Sequence, residues 1–276
     1  MRLATIRTDR GTRAVRLDGE RLIELDAADV GEALARGGEQ VPALGAAPGT
    51  LDTADLAPLV PRPAKIICLG LNYASHIREM GRELPSHPTL FAKFARALIG
   101  ARDPIVLPAA SQQVDWEVEL ALVIGRAVRH ADEAAAAAAI GGYTVLNDVS
   151  VRDWQRRTLQ WLQGKTFERT TPLGPVLVTP DEVDHAADLA VRCLVDGQVM
   201  QSSRTSDLLF KPIDIVRYVS TILTLEPGDV IATGTPAGVG AGRDPKVFLR
   251  PGQVVRTQIE GIGELVNRCV AEADIG

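Results

Sequence analysis

The run Val114–Gly125, V-D-W-E-V-E-L-A-L-V-I-G, decides how the chain is read. Polar and apolar residues alternate from Asp115 to Leu120, and an apolar, β-branched run follows to Ile124, so the stretch reads as a strand. Alternate side chains of a strand share a face, which puts Asp115, Glu117 and Glu119 on one side and Trp116, Val118 and Leu120 on the other. On a solvated face this would be an ordinary amphipathic strand. The continuation A-L-V-I-G implies burial on both faces, however, and buried carboxylates must be protonated, paired or bound to a cation. A hard ion such as Mg²⁺ or Mn²⁺ would neutralise two or three of them and keep waters or substrate oxygens as its other ligands.

The 276 residues suffice for one sizeable domain, or a main domain with a small appendage. Composition is 46% hydrophobic and 24% charged with a net charge of −5, and aromatics are only 4%. No basic stripe or stacking platform is present, which argues against nucleic acid. Cys68, Cys193 and Cys269 are widely spaced without a C-x-x-C, so neither a disulfide framework nor a structural zinc site is expected. The opening M-R-L-A-T-I-R-T-D-R lacks a signal-peptide core, and no apolar run approaches membrane-spanning length, so a cytoplasmic protein without membrane association is expected.

Residues 2–8 alternate as a strand, and two further strands flank the tight-turn pair Asp18-Gly19. Asp26 is placed to cap a short helix, 27–36, that stops at Gly37-Gly38. Residues 1–60 are thus expected as a small N-terminal β domain, closed by a Pro, Gly and Ala-rich connecting segment from Val41 to Pro63. The main domain, 65–276, begins with the buried strand K-I-I-C-L-G-L. If Tyr73–Met80 is helical, His76 and Glu79 lie on one face, either as a carboxylate-oriented base or as a plain surface pair. The polar segment after them, 81–89, carries two prolines and has the character of a lid.

Asp148 ends a strand beginning near Tyr143, where it can serve as a third metal ligand or cap the following turn. Lys165 carries little information alone. The glycine-rich loop Gly234–Gly242 lacks the Lys-Ser/Thr of a phosphate loop, so its free N–H groups are expected to hold a small anion such as a carboxylate. A second tight turn at Asp196-Gly197, a helix over 212–224 and two closing strands complete the scaffold.

Six runs in this order resemble the fumarylacetoacetate hydrolase superfamily: G-L-N-Y-A-S-H-I-R-E at 70–79, D-W-E-V-E-L at 115–120, N-D-V-S-V-R-D-W-Q at 147–155, G-K-T-F at 164–167, P-L-G-P at 172–175 and T-G-T-P-A-G-V-G at 233–240. The resemblance spans roughly residues 65–270 and implies an α+β, β-rich fold, the family's mixed β-sandwich roll, in a homodimer. It also implies that Glu117, Glu119 and Asp148 hold Mg²⁺ or Mn²⁺, that His76 and Glu79 form the general-base pair, and that Lys165 is the active-site lysine. Gln155 then matches a substrate-side polar residue, and Thr235, beside Gly234, a contact to the substrate carboxylate.

The activity so implied is metal-dependent hydrolysis of the C–C bond of an acylpyruvate or related 2,4-diketo acid to pyruvate and a carboxylic acid. His76 would activate water, and Lys165 would stabilise charge developing on oxygen. Oxaloacetate decarboxylation and isomerisation of a hydroxymuconate-type diacid pass through a similar enolate and stand as alternatives. A non-catalytic keto-acid binder is disfavoured, because every chemical position is filled. Two departures from the family pattern are local: Phe94 and Arg96 in F-A-K-F-A-R, and Glu168 after G-K-T-F. An Arg96 facing the pocket would favour a second substrate carboxylate; an Arg96 facing solvent would not.

Overall fold

The decisive run folds as two short strands rather than one. The computed structural model describes residues 1–79, 81 and 83–275, with Glu79 described by its backbone alone. Val114–Asp115 pairs with Ser150–Val151, whereas Val118–Ile124 lies between Ile140–Asn147 and Val230–Ala232. At the break, side-chain amides replace ladder partners. Glu117 N–H donates to Asn147 Oδ1 at 2.9 Å and Val118 N–H to Gln201 Oε1 at 3.0 Å. The kink therefore costs no unsatisfied backbone donor, and it turns Asp115 away from the two glutamates.

Val118–Ile124 is buried at every position, as its unbroken apolar run requires of a strand covered on both faces. It is central to a mixed sheet of eleven strands. A second sheet of five strands, including Ala190–Val195, Val254–Ile259 and Gly263–Ala271, packs on one face. Between the sheets lies a core that includes Trp116, Val118, Val145, Cys193, Val255 and Leu265. The other face carries a second core, where Ala121 and Val123 meet Leu3, Val30 and Leu34. This is the β-rich, mixed two-sheet architecture expected, and all three cysteines are free and buried within it. No helix among the described residues is long and apolar enough to cross a membrane.

The N-terminal strands do not stand apart as an appended domain. Arg2–Thr8 pairs with Thr171–Val178, so the first sixty residues extend the large sheet and share its core. Within them the Asp18-Gly19 turn closes the hairpin as expected. The helix is shorter, Val30–Ala35, and its cap is Asp29, whose side chain accepts from Glu32 N–H at 3.0 Å. Asp26 instead pairs with Arg36. The connecting segment contributes a strand of its own, Ala43–Ala46, paired with Arg21–Leu25.

The glycine-rich loop is fitted closely to the broken strand. A Cβ on Gly240 would lie 1.9 Å from the carbonyl oxygen of Val247 and 2.9 Å from Asp115 Oδ1, so the backbone would have to move; one on Gly242 meets nothing nearer than 3.6 Å. Gly240→Ala is accordingly expected to destabilise the protein by about 1–3 kcal/mol or more, and Gly242→Ala by no more than about 0.5 kcal/mol. Urea denaturation with unchanged slope checks the pair.

Candidate metal and 2-oxo acid site

Three buried carboxylates, Glu117, Glu119 and Asp148, converge where the broken strand meets the end of Ile140–Asn147, with one oxygen from each lying within 4.8 Å of the others. Glu119 Oε2 accepts from Gly234 N–H at 2.7 Å. Gly234 is required there: its φ is +98°, and a Cβ would meet Asn72 Cβ at 3.0 Å and Leu69 O at 3.2 Å. Glu119 Oε1 is buried with no hydrogen-bond partner among the described residues. Burial, then the neighbouring Asp148 and Glu117, push the Glu119 pKa well above the usual carboxylate range.

Asp148 behaves in the opposite way. Burial opposes its charge, but Lys165 and Lys93 outweigh that and hold its pKa below the ordinary value. Lys165 Nζ donates to Asp148 Oδ2 at 2.6 Å and Glu117 Oε2 at 2.8 Å, and Lys93 Nζ to Asp148 Oδ1 at 2.6 Å. Against its own burial, Lys165 is held in the charged form by Asp148 and Glu117. It is therefore a cationic donor and not a base at neutral pH. Arg152 Nη1 reaches Glu117 Oε1 at 2.7 Å and its Nε reaches Asp115 Oδ2 at 2.8 Å, while its buried Nη2 has no partner among the described residues.

Asp115, which alternation placed with the glutamates, belongs to a different cluster. It accepts from the N–H groups of Gly240 at 2.7 Å, Ala241 at 2.9 Å and Trp116 at 2.9 Å. The glycine-rich loop does hold an anion, but that anion is the chain's own carboxylate. The donors proposed for a substrate carboxylate are likewise used internally: Gly234 N–H by Glu119, and the Thr235 hydroxyl by Val118 O at 2.8 Å.

A cleft of about 470 Å³ opens onto this cluster, and His76, Glu117, Arg152, Gln155, Lys165 and Thr235 all line it. Gln155 Oε1 accepts from Arg152 Nη1 at 2.9 Å. His76 sits on the helix Ala74–Glu79, whose first turn donates to Asp207 through Ser75 N–H at 3.2 Å. The Glu79 side chain, expected to orient His76, lies outside the described residues, as do Met80 and Arg82 beside the expected lid. Arg96 does not face the pocket. Its side chain is 83% exposed and pairs at 3.4 Å with Glu168, the other departure from the family pattern. Sequence reasoning passed over Lys93 and Arg152, although both are buried and touch the carboxylates. Their signal was available: each is a lone cation inside a quoted run, F-A-K-F and S-V-R-D-W.

These donors suit a divalent cation. Three carboxylates supply hard oxygen ligands, and the orphaned Glu119 Oε1 is a buried acceptor that a cation would satisfy. Residues 65–270 match the family model described as fumarylacetoacetate (FAA) hydrolase C-terminal, and the chain belongs to that family. It is 50% identical over 217 residues to the mitochondrial oxaloacetate tautomerase FAHD2A of Bos taurus, a match covering 78% of this chain and 69% of that one. Among solved structures, it is similar to 5-carboxymethyl-2-hydroxymuconate delta-isomerase from Mycobacterium smegmatis, with 37% identity and a TM-score of 0.82 over 99% and 100% of the two chains. It is also similar to fumarylpyruvate hydrolase from Pseudomonas aeruginosa in complex with Mn²⁺ and pyruvate, with 32% identity and a TM-score of 0.69 over 76% and 91%.

Because burial favours the protonated form of Glu119, an incoming cation must displace that proton, so affinity for Mg²⁺ should strengthen as pH rises and weaken as it falls. Calorimetric titration in two buffers of different ionisation enthalpy reads the proton release directly. Glu119→Gln should weaken binding at least about 100-fold. Affinity independent of pH with no proton released would contradict this account of the site.

Proposed function

We propose that the chain catalyses a divalent-metal-dependent enolisation of a small 2-oxo acid, with interconversion of the keto and enol forms of oxaloacetate as the reaction. The observation that carries this reading is the buried Arg152 Nη2, without a partner among the described residues, on a side chain that lines the cleft together with Glu117, whose neighbour in the carboxylate cluster, Glu119, has the orphaned oxygen. One is a donor for a carboxylate and the other an acceptor for a cation, which are the two needs of a metal-chelating 2-oxo acid. The relationship to an oxaloacetate tautomerase supports the choice of substrate.

The chemistry assigned to each residue follows from its environment. Arg152 would hold the C1 carboxylate through Nη2, since the Gly234 N–H and the Thr235 hydroxyl, expected in that role, donate to Glu119 and Val118 O. Mg²⁺ or Mn²⁺, held by Glu117, Glu119 and Asp148, would supply Lewis-acid polarisation of the 2-oxo group. Removal of a proton from C3 moves an electron pair onto the C2 oxygen. Lys165, permanently charged and with one ammonium hydrogen beyond its two carboxylate bonds, would donate to that oxygen as charge develops. His76 would take the C3 proton, the C2 oxygen would take a proton from solvent water to complete the enol, and both transfers would reverse in ketonisation, with Gln155 fixing Arg152.

Hydrolysis of an acylpyruvate is the second reading. It is favoured by the similarity to fumarylpyruvate hydrolase and by the same His76, which would then take its proton from water.

Loss of enol absorbance of oxaloacetate, with a coupled assay for pyruvate, separates the possibilities. The expected result is Mg²⁺-dependent decay of the enol without matching pyruvate, abolished by EDTA. His76→Ala should lose about 10²–10⁴-fold in rate, and Lys165→Gln at least about 10²-fold. Stoichiometric pyruvate from oxaloacetate would assign decarboxylation instead, and pyruvate from an acylpyruvate would assign hydrolysis.

A further inference from the structure

Outside the carboxylate chamber lies a second cleft of about 410 Å³, which shares His76, Arg152, Arg156 and Val239 with the first. Its outer wall is the glycine-rich loop and Arg243, and no acidic side chain lines it among the described residues. Arg243 donates to backbone carbonyls, Nη2 to Met200 O at 2.7 Å and Nε to Gly238 O at 3.4 Å, and makes no ion pair among the described residues. Arg156 makes no ion pair among the described residues. The neighbouring arginines are disposed of differently: Arg157 stacks 3.5 Å over the Trp154 ring, and Arg96 pairs with Glu168. Three guanidinium groups thus border one connected space, and only Arg152 is paired with carboxylates.

We propose that this outer vestibule reads a second carboxylate on the substrate, and that Arg156, assisted by Arg243, sets a preference for dicarboxylic over monocarboxylic 2-oxo acids. The proposal rests on the preceding reading in taking a 2-oxo acid as the ligand and Arg152 as the holder of its 2-oxo carboxylate. Guanidinium groups bind carboxylates through paired N–H donors, and an unneutralised cluster of them raises the local concentration of anions. A ligand whose 2-oxo carboxylate engages Arg152 extends its other end past the residues the two clefts share, into the space that Arg156 and Arg243 border. Selectivity between substrates is then separated in space from the groups that act on C2 and C3. The role that sequence offered to Arg96 falls to Arg156, sixty residues further on.

The test is calorimetric titration of 2-oxoglutarate and 2-oxopentanoate, equal in chain length and different in the distal carboxylate, into the Mg²⁺-loaded full chain. Wild type should bind the dianion more tightly. Arg156→Gln should cut the ratio of the two affinities about tenfold, the worth of one charge-assisted hydrogen bond, Arg243→Gln should lower it less, and Arg156→Lys should restore part of it. An unchanged ratio in Arg156→Gln, or no dianion preference in wild type, overturns the proposal. The readout does not depend on turnover: a ratio that falls while oxaloacetate is not enolised keeps the vestibule and removes the assigned reaction. The reverse pattern removes the vestibule and leaves the reaction.

Discussion

One buried carboxylate, Asp115, ties the candidate site together. It receives N–H groups from Gly240 and Ala241 of the glycine-rich loop, from Trp116 next to it in the chain, and from Arg152 on the far side of the cleft. Each of those partners is itself part of the site or supports it. Arg152 goes on to Glu117, and Trp116 Nε1 returns to the loop at Gly238 O, 3.3 Å away. A buried carboxylate with four charge-satisfying donors is stable where an unpaired one would not be. Loop, kinked strand and arginine are therefore positioned by a residue that lies outside the carboxylate triad itself.

The chamber holds one carboxyl group more than it holds cations, and burial pushes that extra one, Glu119, toward its protonated form. Asp115, Glu117, Glu119 and Asp148 face Lys93, Arg152 and Lys165, and every cation is already bonded to a carboxylate other than Glu119. Glu119 is left with a backbone amide and an empty oxygen, which gives the site its appetite for a cation. In the proposed reading the same set of groups would serve several reactions that share an enolate, since it would act on the C1–C2 end of the ligand. On that reading, what distinguishes those reactions resides in the proton assigned to His76 and in what the second cleft admits.

Much of this was legible in the residues. The apolar continuation of Val118–Ile124 reported burial on both faces, the Asp-Gly pairs reported hairpins, and the ordered runs from Gly70 to Gly240 brought His76, Glu117 and Lys165 to one cleft, with Asp148 bonded to Lys165 behind it. The failures share a cause. Strict alternation put Asp115 beside the glutamates because a kink sustained by Asn147 and Gln201 side chains leaves no mark in local periodicity. Lys93 was passed over because its partner, Asp148, is 55 residues away, and a lone lysine at the end of a strand looks like any solvated one. Similarly, the free N–H groups of a glycine-rich loop are visible in sequence, while the carboxylate that occupies them is not.

The way the first strand joins the large sheet bears on how the chain must be handled as a polymer. Arg2 and Leu3 pair with Val178 and Leu177, Leu59 N–H donates to Leu173 O at 3.1 Å, and Thr179 N–H to Met1 O at 3.0 Å. The opening sixty residues are thus the cover on one flank of the strand Thr171–Val178, inside the region that the family model matches. A fragment starting at residue 65 would present that flank as a bare row of amide and carbonyl groups beside apolar surface, a template for adhesion to other chains. The residues matched by the family model are in that sense not self-contained, since the opening segment covers one of their strand edges.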